Sequence, residues 1–265
     1  MSFRALALAT ALALPLQAHA ALVLVTQQTN DVAFENAGGF LQTNYGLPLV
    51  GGTALPPLER AVAQITGSRT SNNTGLYVPN FGTGIPFQGA GVTQALTNQP
   101  PVGNGGNTPW VSNTAVSFTF SRTGNTVTFI QGGLSWTDTQ AFYASIDALE
   151  LRTRSQAPNA TYTSTSITYT NLVYNDAVTT NQALPTVSAS NGDVLLRVYS
   201  GVTGNFTLTG AAVLGWAGPG NPLSPGNAQL NAQIKALDLP AAVPEPASLA
   251  VLGLGVLGLA ALRRR

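Results

Sequence analysis

Apolar side chains alternate with Ser and Thr on both sides of Gly124-Asn125, a pattern that an antiparallel sheet accommodates and a helix does not. A two-residue turn at this dipeptide pairs Phe120 with Phe129 and Arg122 with Val127 in a hairpin from residue 116 to residue 131. Its apolar face consists of Val116, Phe118, Phe120, Val127 and Phe129, and its polar face of Ser117, Thr119, Ser121, Thr126 and Thr128. The hairpin is therefore expected to bury one face and to expose the other.

A second two-residue turn is predicted at Asn191-Gly192, the dipeptide that type I′ turns prefer. The resulting hairpin aligns one apolar face, made of Val187, Ala189, Val194, Leu196 and Val198. Its opposite face carries Thr186, Ser188, Ser190, Asp193 and Arg197.

Further strands are predicted at Ala21 to Val25, Ser145 to Thr153, Thr161 to Tyr174 and Phe206 to Trp216. The last of these places one set of side chains on a single face, namely Phe206, Leu208, Ala212, Leu214 and Trp216. Many short strands with Gly and Asn turns predict an all-β fold, an antiparallel, jelly-roll-like β-sandwich formed by residues 21–240.

Three segments fit this pattern less well. Leu58, Val62 and Ile65 have the spacing of a short helix, and Gln229 to Leu237 fits either a strand or a helix. Pro79 to Asn113 is rich in Gly and Pro, which predicts a long surface loop in preference to a ligand lid.

Between residues 21 and 240 the chain has no Cys, His or Met, because its one Met is Met1 and its one His is His19. This composition excludes disulfides, a Ser-His-Asp triad, a Cys nucleophile and His or Cys metal ligation. We therefore expect a protein that is not an enzyme and that needs no cofactor. Seven basic and nine acidic residues give the same segment a net charge of −2, which argues against nucleic-acid binding.

The tryptophans Trp110, Trp136 and Trp216 are candidates for a platform that stacks on sugar rings, although packing in the core explains them as well. Asp138, Asp147 and Glu150 are candidates for a glycosidase carboxylate pair. Asp147 and Glu150 fall on opposite faces if they belong to one strand, so catalysis is not expected. Asp138, Asp176 and Asp193 offer oxygen ligands for Ca²⁺, but no D-x-D-x-D-G loop is present and no metal site is predicted.

Residues 1–20 have the composition of a secretory signal peptide, with Arg4 before an apolar run and Ala18-His19-Ala20 as the cleavage site. At the other end, Ala247 to Leu262 carries no charge and is followed by Arg263, Arg264 and Arg265. A helix of this length reaches roughly 24 Å and would cross a membrane only marginally. The arginines favour the cytoplasmic side, which leaves the preceding domain outside.

The segment Val243-Pro244-Glu245-Pro246, the apolar run and the terminal arginines resemble the PEP-CTERM sorting signal of exported proteins in Gram-negative bacteria. The resemblance covers residues 241–265. It implies a short transmembrane helix, an inner-membrane-anchored intermediate and processing by an exosortase. It also implies release to the cell surface or to the extracellular polysaccharide matrix of a biofilm.

Together these features predict an exported, exosortase-processed surface or matrix protein with a structural or interaction role. The alternative is a carbohydrate-binding module for exopolysaccharide, and a third reading is a carboxylate-dependent enzyme that acts on polysaccharide.

Overall fold

The computed structural model describes residues 21–30, 33–34, 37–46, 49–50, 53–54, 58–67, 75–78, 95–96, 112–132, 134–159, 162–218 and 230–239. The predicted signal peptide, Trp110, most of the 79–113 loop and the C-terminal segment 241–265 lie outside these residues.

The strands in this part of the chain are β1 (Val23–Gln28), β2 (Leu49–Val50), β3 (Thr53–Ala54), β4 (Leu58–Gly67), β5 (Gly75–Val78), β6 (Ala95–Leu96), β7 (Thr114–Thr123), β8 (Thr126–Gln131), β9 (Leu134–Thr139), β10 (Ala148–Arg154), β11 (Ser164–Asp176), β12 (Gln182–Leu184), β13 (Val187–Ser190), β14 (Val194–Ser200), β15 (Phe206–Ala217) and β16 (Leu230–Asp238). One short helix, α1 (Phe40–Tyr45), and a 3₁₀ turn (Ala141–Ser145) complete the described elements. The all-β prediction is confirmed.

Two antiparallel sheets contain most of these strands. Sheet I has the order β1-β14-β10-β16-β4-β5-β6. Sheet II has the order β12-β11-β15-β7-β8-β9, with β13 also paired to β11. One continuous apolar cluster joins the inner faces of the two sheets, with Ile65, Leu149 and Ile234 from sheet I and Phe120, Phe129 and Tyr169 from sheet II. The sheets therefore pack face to face around a shared core.

The hairpin at Gly124-Asn125 forms with the predicted register. Phe120 pairs with Phe129 and Arg122 pairs with Val127. Gly124 has a φ of 58°, the left-handed conformation that a glycine adopts without strain. Phe118, Phe120, Val127 and Phe129 are all buried, which confirms the predicted apolar face.

The second predicted turn forms, but the hairpin around it does not. Asn191 and Gly192 have φ values of 52° and 104°, as a type I′ turn requires, and the Asp193 N–H donates to the carbonyl of Ser190. However, β13 pairs with β11 in sheet II, whereas β14 pairs with β1 and β10 in sheet I. The turn is a corner between the two sheets, and the prediction of a paired hairpin is wrong.

The predicted common face across this turn is consequently also wrong. Val187 and Ala189 point into the core between the sheets. Leu196 and Val198 belong to a second apolar cluster on the outer face of sheet I, which Phe34 and Leu41 cover. Apolar alternation marks buried faces, but it does not say which of the two layers covers each of them.

The segment predicted as a short helix is the strand β4. Ala61, Ala63 and Ile65 face the core between the sheets, and Val62 on the opposite face is also buried. Burial on both faces of a strand produces a nearly continuous apolar run, which fits the spacing of a helix as well as that of a strand. For Gln229 to Leu237 the strand alternative is correct, with Leu230, Ala232 and Ile234 in the core.

Candidate functional site

The outer face of sheet II is lined by Ser and Thr side chains. On β7, Ser117, Thr119 and Ser121 alternate with the buried Phe118 and Phe120. The same alternation continues on the neighbouring strands, where the hydroxyl residues are Thr126, Thr128, Ser135, Thr137, Thr139, Thr168, Thr170, Ser188, Thr207 and Thr209. We call this surface the hydroxyl face.

Cross-strand hydrogen bonds order part of this face. The hydroxyl oxygens of Thr126 and Thr139 lie 2.9 Å apart, and those of Thr128 and Thr137 lie 3.2 Å apart. On the same face, near the other edge of the sheet, the hydroxyl oxygens of Thr168 and Ser188 lie 2.8 Å apart. Such pairs between directly opposite residues contribute to the stability of a sheet and fix the side-chain rotamers.

A bulge in β11 maintains the pattern along this long strand. The register shifts between Thr170 and Val173, where Asn171 adopts a φ of 52°. The inserted residue returns Leu172 and Tyr174 to the core.

In the described part of sheet II, the outward-facing strand positions carry no Asp, Glu, Lys or Arg. The charged side chains of these strands lie elsewhere: Arg122 is buried on the inner face, and Asp138 and Asp176 are bonded to tyrosines of the domain. A groove of about 410 Å³ lies where β7 and β8 meet, and its lining includes Ser117, Thr119 and Ile130. The surface is thus neutral, polar and slightly concave at one place.

The three predicted tryptophans do not form a sugar-stacking platform in the described residues. Trp136 is 1% exposed and stacks on Phe129 inside the core, with 5.6 Å between the ring centroids. Trp216 packs against the same core and is only partly exposed. Trp110 lies outside the described residues. For Trp136, core packing is the correct alternative and sugar contact is excluded by burial.

The three candidate carboxylates each take part in a separate set of contacts. Asp138 accepts a hydrogen bond of 2.7 Å from the hydroxyl of Tyr143. Asp147 accepts one of 2.9 Å from the Leu239 N–H, and burial raises the pKa of its carboxyl group. Glu150 is 1% exposed and lies next to Lys235.

Asp138, Asp176 and Asp193 likewise do not converge. The described residues contain no group of three or more acidic, His or Cys side chains that could hold a metal ion. Asp176 uses its carboxylate locally, accepting bonds from the Val178 and Thr179 N–H groups and from the Tyr174 and Thr203 hydroxyls.

A buried charged cluster was not predicted from the sequence. On the outer face of sheet I, the Nζ of Lys235 lies 2.7 Å from Oε1 of Glu59 and 3.2 Å from Oε1 of Glu150. Burial raises the pKa of Glu150; burial lowers the pKa of Lys235, but the two carboxylates raise it by more. The only available signal was that Lys235 is the single lysine of the chain.

The described domain is therefore an all-β protein of two packed antiparallel sheets, with one neutral hydroxyl-lined outer face. Residues 242–265 match the family model of the PEP-CTERM protein-sorting motif. This motif identifies the chain as an exosortase-targeted, exported protein with a surface or extracellular destination. No curated protein matches the sequence.

The matched segment lies outside the residues that the structure describes. Within the described ranges, no helix is long and apolar enough to cross a membrane.

Proposed function

We propose that this protein is a non-enzymatic component of the cell surface or extracellular matrix, and that it contacts neutral exopolysaccharide through the hydroxyl face. The observation that carries the proposal is the absence of charged side chains from the described outer positions of sheet II, where Ser and Thr predominate. The sorting motif supports the location, because it directs the chain out of the cell.

The chemistry of this face suits a neutral, hydroxylated polymer. Each Ser or Thr hydroxyl donates one hydrogen bond and accepts two, and a sugar hydroxyl does the same. A neutral partner can approach without the desolvation of unpaired charges that a charged surface would require. Many weak contacts along one polymer add up to useful affinity, since each further contact is intramolecular.

Two further observations support this reading over the alternatives. The burial of Trp136 removes this one aromatic ring from the candidate sugar contacts, whereas the Ser and Thr hydroxyls of the hydroxyl face are at the surface. The carboxylates of Asp138, Asp147 and Glu150 are each engaged in separate contacts, which disfavours a polysaccharide-active enzyme.

The test is binding of the purified full chain to an insoluble neutral β-glucan, with the polyanion alginate as the comparison polymer. The double variant Ser117→Asp/Thr137→Asp places two charges on exposed positions of the hydroxyl face. We expect it to weaken binding about tenfold, because each carboxylate must be desolvated against the polymer. The matched control is Thr43→Asp/Thr180→Asp, which adds the same charge at exposed positions outside this face, in α1 and in the loop before β12.

The proposal is contradicted if the chain prefers alginate or fails to bind the neutral polymer. It is also contradicted if both double variants bind equally well.

A further inference from the structure

Lys235 occupies the middle of three adjacent strands in sheet I. It lies directly opposite Glu150 on β10, and on its other side β4 supplies Glu59. A bulge between Ala236 and Leu237 shifts the pairing of β16 with β4, so that Glu59 lies opposite Leu237. Lys235 is thereby held between two carboxylates that come from distant parts of the chain.

All three side chains are removed from water. The side chains of Lys235, Glu59 and Glu150 are 8%, 10% and 1% exposed. Oε1 of Glu150 is buried and makes no aligned hydrogen bond, although it lies 3.2 Å from the Nζ. A buried ion pair is weak evidence for a stabilising role, because the desolvation of the charges offsets their attraction.

We propose that Lys235 and Glu59 condense to form an intramolecular isopeptide bond, with Glu150 carrying the proton. The amine is the attacking group, the side-chain carboxyl carbon of Glu59 is the electrophile, and one water molecule is released.

The step balances without any co-reactant. The Lys235 ammonium group transfers one proton to Oε1 of Glu150, which lies 3.2 Å from its nitrogen, and Lys235 becomes a neutral amine. The nitrogen lone pair then forms a bond to Cδ of Glu59. One proton from this nitrogen and the proton held by Glu150 pass to one carboxyl oxygen, which departs as water while the carbonyl double bond reforms. Glu150 returns to its carboxylate form, and no group is oxidised or reduced.

The surroundings of the cluster favour this reaction. Three paired strands hold the cluster in contact, and the Lys235 Nζ already lies 2.7 Å from Oε1 of Glu59, the carboxyl group that it attacks. The scarcity of water favours neutral groups over charged ones and opposes hydrolysis of the amide once it has formed. Burial raises the pKa of Glu150, which allows this carboxyl group to hold the proton during the step. The two carboxylates also raise the pKa of Lys235, so this proton transfer is the uphill part of the reaction.

The bond would give this exported chain a covalent cross-link that its composition otherwise denies it. The chain has no cysteine, so disulfides are impossible. A bond between β4 and β16 closes the chain from residue 59 to residue 235, which encloses most of both sheets. Like a disulfide that closes a long loop, it restricts the unfolded chain.

The first measurement is the intact mass of the purified full chain under denaturing conditions. We expect it to be lower by one water molecule than the mass calculated from the same sequence. Because Lys235 is the only lysine, a lysine-specific endoprotease then fails to cut the denatured chain at this residue. A mass equal to the calculated one, or complete cleavage after Lys235, overturns the proposal.

Fragment mapping and variants identify the bond. We expect a branched peptide that joins Glu59 to Lys235, and a branch from Glu150 in its place contradicts the assignment. Lys235→Arg and Glu150→Gln should restore the full mass. The control Asp238→Asn removes an ion pair with Arg60 on the same two strands and should keep the mass deficit. If the variants do not fold, the mass of the unaltered chain and its cleavage at Lys235 still show whether the bond is present.

Discussion

The guanidinium group of Arg122 donates a hydrogen bond of 2.6 Å to the main-chain carbonyl of Tyr143. It also donates to the carbonyls of Ile146 and Gly204, and it lies over the ring of Phe206. Arg122 is 3% exposed, and burial lowers its pKa. One buried cation thus connects β7 to the 3₁₀ turn and to the loop that precedes β15.

Replacing this residue should destabilise the domain even when the charge is kept. In Arg122→Lys a single ammonium group cannot reach all the carbonyls that the planar guanidinium joins, and buried acceptors lose their donors. We expect the free energy of unfolding to fall by about 2 to 4 kcal/mol. Urea unfolding measures this, with Arg154→Lys at an exposed position as the control. Equal losses for both variants would show that the carbonyl contacts of Arg122 contribute little.

The paired residues Phe120 and Phe129 test the core between the sheets. Both are fully buried and lie opposite each other on β7 and β8. Phe120→Ala or Phe129→Ala should cost about 3 to 5 kcal/mol, because each leaves a cavity in a packed interior. Ser117→Ala on the exposed face of the same hairpin should change stability by less than about 0.5 kcal/mol. Denaturant unfolding of the variants would contradict the register if this order were reversed.

The first hairpin was predictable from the sequence because its information is local. Gly124-Asn125 supplies the turn, and alternation over the next few residues on each side determines the register. The turn at Asn191-Gly192 was predictable for the same reason. Its strands join different sheets, and that choice depends on β11 and β10, which are distant in the sequence.

The candidate functional residues also differ in whether local sequence could predict them. The hydroxyl face follows from strand alternation, and its residues on β7 and β8 were expected to face solvent. The cluster of Glu59, Glu150 and Lys235 could not be predicted, because strands from three parts of the chain bring it together. Trp136 shows a related limit, since a tryptophan suits a core as well as a sugar-binding surface.

Ionisation of the Asp176 carboxyl group should make the stability of the domain depend on pH in the acid range. Burial acts to raise its pKa, but the bonds from Thr179, Val178, Tyr174 and Thr203 outweigh this and lower it. A carboxylate with a lowered pKa stabilises the folded state above its ordinary pKa, and this contribution is lost as the pH falls through the lowered value. The stabilisation is therefore complete at neutral pH, begins to fall near the ordinary Asp pKa of about 3.9 and is lost below the lowered pKa.

The variant Asp176→Asn isolates this contribution. At pH 7 we expect it to lower the free energy of unfolding by about 1 kcal/mol, since its hydrogen bonds are partly exposed to solvent. The difference from the unaltered chain should shrink as the pH is lowered below the ordinary Asp pKa of about 3.9. Urea titrations at several pH values measure it, with Asp193→Asn as the control. A difference that stays constant with pH would mean that the charge of Asp176 contributes nothing.

Processing at the sorting motif should depend on the carboxylate of Glu245 and not only on an extended linker. Pro244 and Pro246 lack N–H groups, so the sequence predicts an extended segment here, and a spacer role would survive Glu245→Gln. A sorting enzyme that pairs with the carboxylate would lose a charge-assisted hydrogen bond of about 1.5 to 3 kcal/mol, which corresponds to roughly ten- to a hundredfold slower processing.

The measurement is the ratio of full-length to processed protein in a host that carries the cognate exosortase. Ser248→Ala, in the adjacent apolar run, is the control and should be processed normally. Equal processing of all three chains would reduce Val243 to Pro246 to a spacer before an ordinary anchor.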